Sequence, residues 1–528
     1  MQNLTRQPVF ARDVIATSQP LATSAGLEVF AAGGNAVDAA LAAAICLTVV
    51  EPTSNGIGGD AFAIVWDGQS LHAMEAAGRS PASLDPRRFT NRPEMPVRGW
   101  DAVTVPGCVA GWADLHAKLG RLPFERLFAP AVRHAEAGFP LSPVTAAAWQ
   151  ASFPHFKDFA GWRETFAPHG RAPTAGEVVR LPEHAATLRR IAETAGRDFY
   201  EGETAAMILA AARQAGADLA ATDLTRHATT WPGTASVLYR GHRVHQLPPP
   251  GQGIAALMAL RLVELAGGHD LPPGVQATHL HIEAMKLAFA DAHAHLAEPA
   301  HMAVSPDDLL CDAYIAERLK LIDPASATAF TPGTGKPGGT VYLSAADRDG
   351  RLISYIQSNY YGFGSGVVPP GTGVALQNRG YGFCTTPGHP NCVAAGKKPF
   401  HTIIPGFVTR DTDAGVEPVM AFGVMGGPMQ PQGHLQVLER VLCRGESPQK
   451  ALDAARWRVR GERDVMTEPE LAKNLLEGLA GRGHRIWPAG YEAFGGGQAI
   501  RRAATSAEGQ RAWEAASDWR KDGHAAGL

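Results

Sequence analysis

The junction between a loop and a strand near residue 340 constrains this chain more than any other feature. The loop is rich in glycine, proline, serine and threonine and ends in Pro-Gly-Gly at 337–339, which cannot hold regular structure. Thr340 follows, and then Val-Tyr-Leu at 341–343, which favour a β-strand. The pattern fits an ordinary flexible loop that enters a strand. It also fits a chain that cleaves itself at the bond between Gly339 and Thr340.

Self-cleavage would turn Thr340 into a nucleophile that carries its own base. Its hydroxyl would attack the carbonyl of Gly339, and the break would leave Thr340 as a new N-terminus. A threonine paired with an N-terminal amine is a recognised activated nucleophile, because the amine takes the hydroxyl proton. Such amines have a pKa of about 7.7–8.0 and are partly unprotonated near neutral pH. We therefore predict cleavage between Gly339 and Thr340, with Thr340 as the catalytic residue.

Further sequence blocks favour self-cleavage over an ordinary flexible loop. They lie in one order along the chain, at residues 16–66, 246–260, 281–296, 338–350, 364–383, 396–407, 422–434 and 517–523. In this combination they strongly resemble the γ-glutamyltranspeptidase family of N-terminal nucleophile hydrolases, across nearly all 528 residues. The resemblance implies an α/β fold, the four-layer αββα sandwich of these hydrolases.

The resemblance also implies a precursor that is cut into two associated chains. Residues 1–339 would form the large chain, and residues 340–528 would form the small chain with the nucleophile at its N-terminus. Together they would make one αββα domain. We expect the two chains to associate as a heterodimer, and a dimer of heterodimers stays open.

Gly426 and Gly427, in the segment Met-Gly-Gly-Pro-Met, match the glycine pair that forms the oxyanion hole in this family. Acyl transfer passes through a tetrahedral oxyanion, which backbone N–H groups stabilise. Glycine lets the backbone approach closely and adopt unusual dihedral angles. Without the resemblance, the same pair would be read as a tight turn before a helix. With it, we predict that both glycines are catalytic.

The substrate-binding positions depart from those of relatives that act on γ-glutamyl groups. The acidic residue that holds the α-amine in those relatives matches Gly382, which can make no ion pair. Their carboxylate-binding arginine matches Ala77, with Arg79 two residues away, and Arg379 supplies a new cationic fork suited to a carboxylate. A buried ammonium without its partner is costly, so the sequence predicts a substrate that lacks the α-amine.

The other candidates follow from the same matching. The serine pair that grips the α-carboxylate in relatives matches His401 and Thr402, and a polar pair after the second hairpin strand matches Ser358 and Tyr360. Which of the two arginines binds the substrate carboxylate stays open. The predicted substrate-binding residues are Ser358, Asn359, Tyr360, Arg379, His401, Thr402 and Arg79.

These features predict an amidohydrolase for a small acidic amide. A non-exported subgroup of the family, which includes oxamate amidohydrolases of purine-derived nitrogen scavenging and acylase-like members, resembles the chain well. Oxamate, a carboxylate joined to a primary amide, is therefore the first choice, with oxalate and ammonia as products. The alternatives are a glutathione hydrolase or γ-glutamyltransferase, a glutaryl (cephalosporin) acylase, and an uncleaved, inactive binding relative.

Composition excludes several other classes of function. The formal net charge of −3 gives no reason to expect nucleic acid or an anionic membrane as a partner. The six cysteines contain no CxxC pair, which argues against a zinc site or a redox dithiol. The longest apolar run, 39–50, is too short to span a bilayer, and residues 1–20 lack the layout of a signal peptide. We expect a cytoplasmic protein.

No pattern predicts a metal or an organic cofactor. Residues 56–61 match GxGxxA, but a strand follows where a dinucleotide site needs a helix. A group of histidines and one glutamate on a predicted helix over 277–297 is interpreted as polar positions on a partly exposed helix: His279, His281, Glu283, His293 and His295.

Periodicity and turn residues predict the remaining elements. These are helices over 20–50 with a break at 33–34, over 105–137, 184–216 and 254–266, and near 432–443, hairpins over 61–75 and 340–358, and strands near 372–377 and 419–424.

Overall fold

The structure, a computed structural model, describes residues 6–330, 339–503 and 511–528. The loop predicted ahead of the cleavage site falls at 331–338 and lies outside the described residues. The strands are β1 Val9–Ala11, β2 Val14–Thr17, β3 Asp60–Trp66, β4 Leu71–Ala76, β5 Phe139–Pro140, β6 Val178–Val179, β7 Ala235–Tyr239, β8 His242–Gln246, β9 Gly339–Ala346, β10 Leu352–Tyr360, β11 Gly406–Thr412, β12 Gly415–Val424, β13 Trp457–Val459, β14 Asp464–Thr467, β15 Arg485–Pro488, β16 Gly497–Arg502, β17 Trp513–Ser517 and β18 His524–Gly527.

The α-helices alternate with these strands along the chain. They are α1 Pro20–Ala31, α2 Ala36–Val50, α3 Cys108–Leu119, α4 Ala129–Ala137, α5 Pro143–Phe156, α6 Ala160–Phe166, α7 Pro182–Glu193, α8 Arg197–Glu201, α9 Glu203–Gln214, α10 Ala221–Thr225, α11 Gly253–Leu265, α12 Val275–His295, α13 Pro306–Leu310, α14 Asp312–Leu319, α15 Met429–Leu438, α16 Pro448–Asp453 and α17 Lys473–Gly481.

Two sheets form the centre of the molecule. The seven-stranded sheet has the order β1-β17-β16-β12-β11-β8-β7, and the six-stranded sheet has the order β18-β2-β9-β10-β3-β4. Every pairing recorded between neighbours in these two sheets is antiparallel. Strands from before and after residue 339 are interleaved in both sheets, so neither segment of the chain completes a sheet by itself.

The two sheets pack face to face through alternate side chains of their strands. Phe62, Tyr342 and Ile356 of the six-stranded sheet share one buried cluster with Phe407 and Ile500 of the seven-stranded sheet. Successive strand residues point to opposite faces, so the other half of each strand faces a helical layer. This alternation produces an inner core between the sheets and an outer core on each side.

Helices cover the outer face of each sheet. Helix α2 is buried along its whole length and packs on the six-stranded sheet, where its alanines allow a close approach. Asn35 caps this helix and Asp38 returns the bond, which forms a capping box. Helices α11 and α15 pack on the seven-stranded sheet, and α12 packs against α11. The layers are therefore helix, sheet, sheet, helix, which confirms the predicted αββα sandwich.

Most predicted elements are present, with two corrections. Residues 372–377 form no strand; Leu376 makes only an isolated bridge with Gly58. Helix α12 is not partly exposed at its first polar positions, because His279, His281 and Glu283 are all buried. Sequence periodicity failed there because the segment around His484, about 200 residues away along the chain, covers that face. Across the described ranges, the helices all fall short of the length and apolar character that a membrane crossing needs.

Candidate active site

Thr340 lies at the start of β9, against the end of β10. Ser358 Oγ donates a hydrogen bond to the Gly339 carbonyl oxygen at 2.5 Å, and the Thr340 hydroxyl donates to Ser358 Oγ at 3.3 Å. The Tyr360 N–H donates to the same Oγ at 2.8 Å. One serine hydroxyl therefore joins the carbonyl of the predicted cleavage site to the hydroxyl predicted to attack it.

A β-bulge creates this arrangement. Gln357 pairs with Val341 and Tyr360 pairs with Gly339, so β10 carries one more residue than β9 over this stretch. Tyr360 has a φ of 77°, a left-handed conformation that is strained for a bulky side chain. The bulge aims Ser358 at the Gly339 carbonyl, and it turns Tyr360 toward Arg379.

Gly426 and Gly427 form the turn between β12 and α15. Their φ angles are 116° and 60°, so both adopt the left-handed backbone that glycine alone takes readily. Their carbonyls accept from Met429 N and Gln430 N at the start of α15. Among the described residues, neither glycine N–H donates a hydrogen bond to another protein atom. These two donors are therefore free to serve an oxyanion.

Gln252 connects the glycine turn to the predicted substrate-binding residues. Its side-chain Nε2 donates to the Thr402 carbonyl at 2.6 Å and to the Gly427 carbonyl at 2.9 Å. It is buried and caps the N-terminus of α11, two residues before the helix start predicted at 254. No periodicity or motif in the sequence points to Gln252, because the two carbonyls that it bonds lie in segments far away along the chain.

Arg379 is a wholly buried cation with unused donors. Its Nη1 donates to Thr402 Oγ1 at 2.9 Å, and its guanidinium carbon lies 4.2 Å from the centre of the Tyr360 ring. Nε and Nη2 are buried and make no hydrogen bond. Burial lowers the pKa of Arg379 to about 10, so it stays charged at neutral pH. A buried guanidinium with two free N–H edges is suited to an anionic ligand.

Asp60 is the acidic partner of this arginine. Its Oδ2 lies 3.9 Å from Arg379 Nε and accepts from His401 Nε2 at 3.0 Å, while Oδ1 accepts from Gln377 Nε2 at 2.9 Å and from Gly107 N at 3.1 Å. Burial raises the pKa of Asp60 to about 7 against the opposing effect of Arg379. Asp60 was not predicted as a site residue, since it lies inside the GxGxxA pattern that was rejected as a dinucleotide site.

His401 is close to Arg379, but its ring is occupied by the protein. Nδ1 accepts from Ile403 N at 3.3 Å, so Nε2 carries the proton that it donates to Asp60. Burial, with the nearby Arg379 charge, holds the pKa of His401 well below its usual value, and the ring is neutral. The histidine therefore positions Asp60 instead of offering a free donor to a ligand.

Asn359 and Arg79 occupy other surroundings. Both amide atoms of Asn359 are buried without a hydrogen bond, and they face Gly56 and Gly59 so closely that a Cβ on either glycine would lie under 3.0 Å from them. Arg79 is half exposed, pairs with Glu298 at 2.5 Å and lines a separate cavity of about 390 Å³. Within the described part of the chain, its side chain bonds the Gly396 carbonyl and Glu298 and makes no hydrogen bond or ion pair with Arg379 or Thr340.

A cavity of about 330 Å³ adjoins the Arg379 group. Tyr360, Thr402, Gln252 and Pro428 form its inner wall, next to the glycine turn. Gly382 also lines it, and a Cβ there would lie 2.6 Å from the Phe400 carbonyl oxygen. The rest of the lining includes Leu296, Phe383, Phe400, Cys384 and His389.

The histidines of α12 form a different buried cluster. His279 Nδ1 lies 2.8 Å from His484 Nε2, and Glu283 lies close enough that the three could offer ligand atoms to one ion. Lys286 Nζ is 2.5 Å from Glu283 Oε1 and also donates to the Thr328 carbonyl. The lysine thus neutralises the carboxylate, and the cluster ties α12 to the segment around Thr328.

Comparison with known proteins places this arrangement in a family. The family model described as gamma-glutamyltranspeptidase matches residues 22–528. The chain belongs to the gamma-glutamyltranspeptidase family. The fold and the amide-hydrolysing class predicted from the sequence are thereby confirmed.

Relatives of this gamma-glutamyltranspeptidase family member differ in what they are named for. The oxamate amidohydrolase proenzyme of Klebsiella pneumoniae is 34% identical over 83% of this chain and 83% of its own length. A glutathione hydrolase-like proenzyme of Bacillus subtilis is 30% identical over 99% of this chain and 100% of its own length. The crystal structure of a cephalosporin acylase from Bacillus halodurans superposes with a TM-score of 0.93 at 45% identity, and covers 99% of this chain and 97% of that one.

Proposed function

We propose that this enzyme cleaves itself between Gly339 and Thr340 and then hydrolyses small acidic amides, with oxamate as the first candidate. The observation that carries the substrate class is Arg379, which is buried with Nε and Nη2 unpaired beside a site that has glycine at 382. A carboxylate can accept hydrogen bonds from both free N–H groups, whereas the guanidinium would repel the positive charge of an α-ammonium.

The contacts of Ser358 support the proposed self-cleavage. The Thr340 hydroxyl attacks the Gly339 carbonyl carbon, and Ser358 Oγ, 2.5 Å from that carbonyl oxygen, stabilises the charge that develops on it. Collapse moves the acyl group from the Thr340 nitrogen to its oxygen. Water then hydrolyses the ester, which leaves a carboxylate on Gly339 and a free α-amine on Thr340. The products are a large chain, 1–339, and a small chain, 340–528.

Amide hydrolysis uses the freed N-terminus. The Thr340 amine takes the hydroxyl proton as Oγ attacks the substrate carbonyl, and the N–H groups of Gly426 and Gly427 hold the oxyanion. The same proton passes to the leaving nitrogen, and ammonia departs. Water then attacks the acyl ester with the amine again as base, and the acid is released.

Arg379 orients the acyl group through its carboxylate, with Thr402, Tyr360 and Ser358 nearby. Since His401 uses both ring nitrogens within the protein, it acts on the ligand only through Asp60. Arg79 and Asn359 are assigned no direct contact with an oxamate-sized substrate. The choice of oxamate as the short acid that binds Arg379 is supported by the Klebsiella relative, which is named for oxamate.

A glutaryl-type amide is the second candidate, because the adjoining cavity of about 330 Å³ exceeds what oxamate needs. The relative named as a cephalosporin acylase supports this choice. We propose a cytoplasmic location, because all six cysteines are free thiols in the structure and free thiols are typical of a reducing compartment. The two chains are proposed to stay together as a heterodimer, since each sheet contains strands of both chains.

The test compares purified wild-type protein with Thr340→Ala. A denaturing gel and N-terminal sequencing should show a small chain that begins TVYLSAAD in the wild type only. Ammonia release from oxamate and from the monoamide of glutarate should accompany it. A single uncleaved chain with full activity would contradict the self-cleavage, and turnover of γ-glutamyl compounds alone would contradict the substrate class.

A further inference from the structure

Asp60 and Arg379 form a buried pair of opposite charges beside the proposed carboxylate site. Both side chains have no exposed surface, and their nearest atoms are 3.9 Å apart, longer than a direct hydrogen bond. Asp60 accepts instead from His401, Gln377 and the backbone of Gly107. The arginine therefore has a counter-charge nearby while its Nε and Nη2 edges remain unpaired.

The charge balance at this place changes when an anion arrives. Without a ligand, Arg379 and Asp60 cancel. A substrate carboxylate on Arg379 adds a second negative charge in a region shielded from water, where like charges repel strongly. Four titratable groups near Asp60 or its partners are neutral at pH 7, because burial raises the pKa of each acid and lowers that of the histidine: Cys108, Tyr200, Tyr360 and His401. Besides Arg379, the charge that acts on His401 is Lys398, whose Nζ is already paired with Glu75 Oε1 at 2.6 Å. Asp60 is thus the group placed to relieve the excess charge.

We propose that Asp60 takes up a proton from solvent when an anionic substrate binds Arg379, so that Asp60 sets the pH range in which carboxylates bind. The inference rests on the proposed role of Arg379 as the carboxylate site. The protonated carboxyl keeps acceptor capacity, so His401 Nε2 still donates to Oδ2 while Nδ1 keeps its bond from Ile403 N. One proton enters from solvent, and the local charge stays neutral.

The pKa of Asp60 in the enzyme without ligand supports proton uptake when an anion binds. Burial already raises the pKa of Asp60 to about 7, and a second anion raises it further. Binding therefore draws a proton most strongly above about pH 7, where free Asp60 is ionised. Affinity for the anion is expected to fall with rising pH, by at most about tenfold per pH unit.

The experiment measures oxalate binding to mature enzyme by titration calorimetry between about pH 6 and pH 9, where both oxalate carboxyl groups are ionised. Repeating each titration in two buffers of different ionisation enthalpy counts the protons taken up. The wild type should take up a large fraction of one proton near pH 8, and Asp60→Asn should lose that uptake while still binding. Asn mimics the protonated acid, so its affinity should exceed that of the wild type at high pH.

A matched control is Asp453→Asn, which removes another acid whose pKa burial raises but whose neighbours are Gln449, Asp518 and Arg520 instead of Arg379. It should behave as the wild type. Any proton linked to the Thr340 amine is common to all three proteins and cancels in the comparison. Equal proton uptake by wild type and Asp60→Asn would overturn the role of Asp60 and leave the proposed function standing.

A second readout needs no variant. Infrared difference spectra of wild-type enzyme should gain a protonated-carboxyl band when oxalate binds at about pH 8. Binding without that band would overturn the inference even if Asp60→Asn failed to fold. Failure of oxalate and glutarate to bind the wild type at any pH would instead contradict Arg379 as a carboxylate site, and therefore the proposed function itself.

Discussion

The guanidinium of Arg379 stacks on the ring of Tyr360, with 4.2 Å between the guanidinium carbon and the ring centre. Tyr360 reaches that position because the bulge in β10 forces its φ to 77°. The same bulge aims Ser358 at the carbonyl of Gly339. One local distortion of the hairpin therefore serves both the proposed cleavage site and the proposed substrate site.

Replacing Ser358 by alanine should slow maturation. The hydroxyl is the donor that meets the Gly339 carbonyl oxygen, and loss of one oxyanion donor costs roughly 10²–10³-fold in rate. The fraction of cleaved chain after purification, followed over time on a denaturing gel, measures the effect. Ser358→Thr, which keeps the hydroxyl, is the matched control and should still cleave. Cleavage of Ser358→Ala at the wild-type rate would show that another donor serves the carbonyl.

Activity should rise with pH as the Thr340 amine loses its proton. We expect kcat/KM to decline on the acidic side with a midpoint below about pH 8, because burial tends to lower the pKa of an amine. A substrate without a carboxylate separates this decline from any effect of Asp60 on binding. A rate independent of pH from about 5 to 9 would count against the amine as base.

Arg379→Ala should reduce kcat/KM for acidic amides by well over tenfold. Removing one member of a buried charge pair typically costs about 2–5 kcal/mol, and a loosely held acyl group also loses its attack geometry. Arg379→Lys keeps the charge without the fork and should recover only part of the loss. Steady-state kinetics on oxamate measure both. Arg79→Ala is the control, and a larger loss there than at Arg379 would move the carboxylate site.

Acid should destabilise the fold through buried neutral histidines. Burial lowers the pKa of His434 to about 3, whereas the unfolded chain has the ordinary value of about 6.5. The unfolded state therefore binds more protons below about pH 6.5, and stability is lost as the pH falls. Between about pH 6.5 and 5 this one residue should account for up to about 2 kcal/mol. Urea unfolding of uncleaved Thr340→Ala at both pH values, with and without His434→Gln, measures the loss of unfolding free energy. An equal loss in the two proteins would refute the role of His434.

The sequence predicted most of the elements because helices and hairpins leave local signals, and a local signal also singles out Thr340, whose role as nucleophile stays a prediction. Thr340 follows a Pro-Gly-Gly break, and the hairpin and α2 show clear periodicity. Asp60 and Gln252 leave no such signal, since their roles depend on segments that meet only in the folded chain. His401 was predicted to bind substrate, but its ring is used by Asp60 and Ile403. Tertiary contacts of this kind cannot be read from residue spacing.

The most direct test of the account is the relative kcat/KM of mature wild-type enzyme for oxamate, the monoamide of glutarate, glutamine and glutathione, each followed by the release of its product. The unpaired edges of Arg379 and the glycine at 382 predict turnover of the two acidic amides, and at most slight turnover of the two substrates that carry an α-ammonium. Efficient hydrolysis of glutathione or glutamine, with no activity on oxamate or the glutarate monoamide, would contradict it.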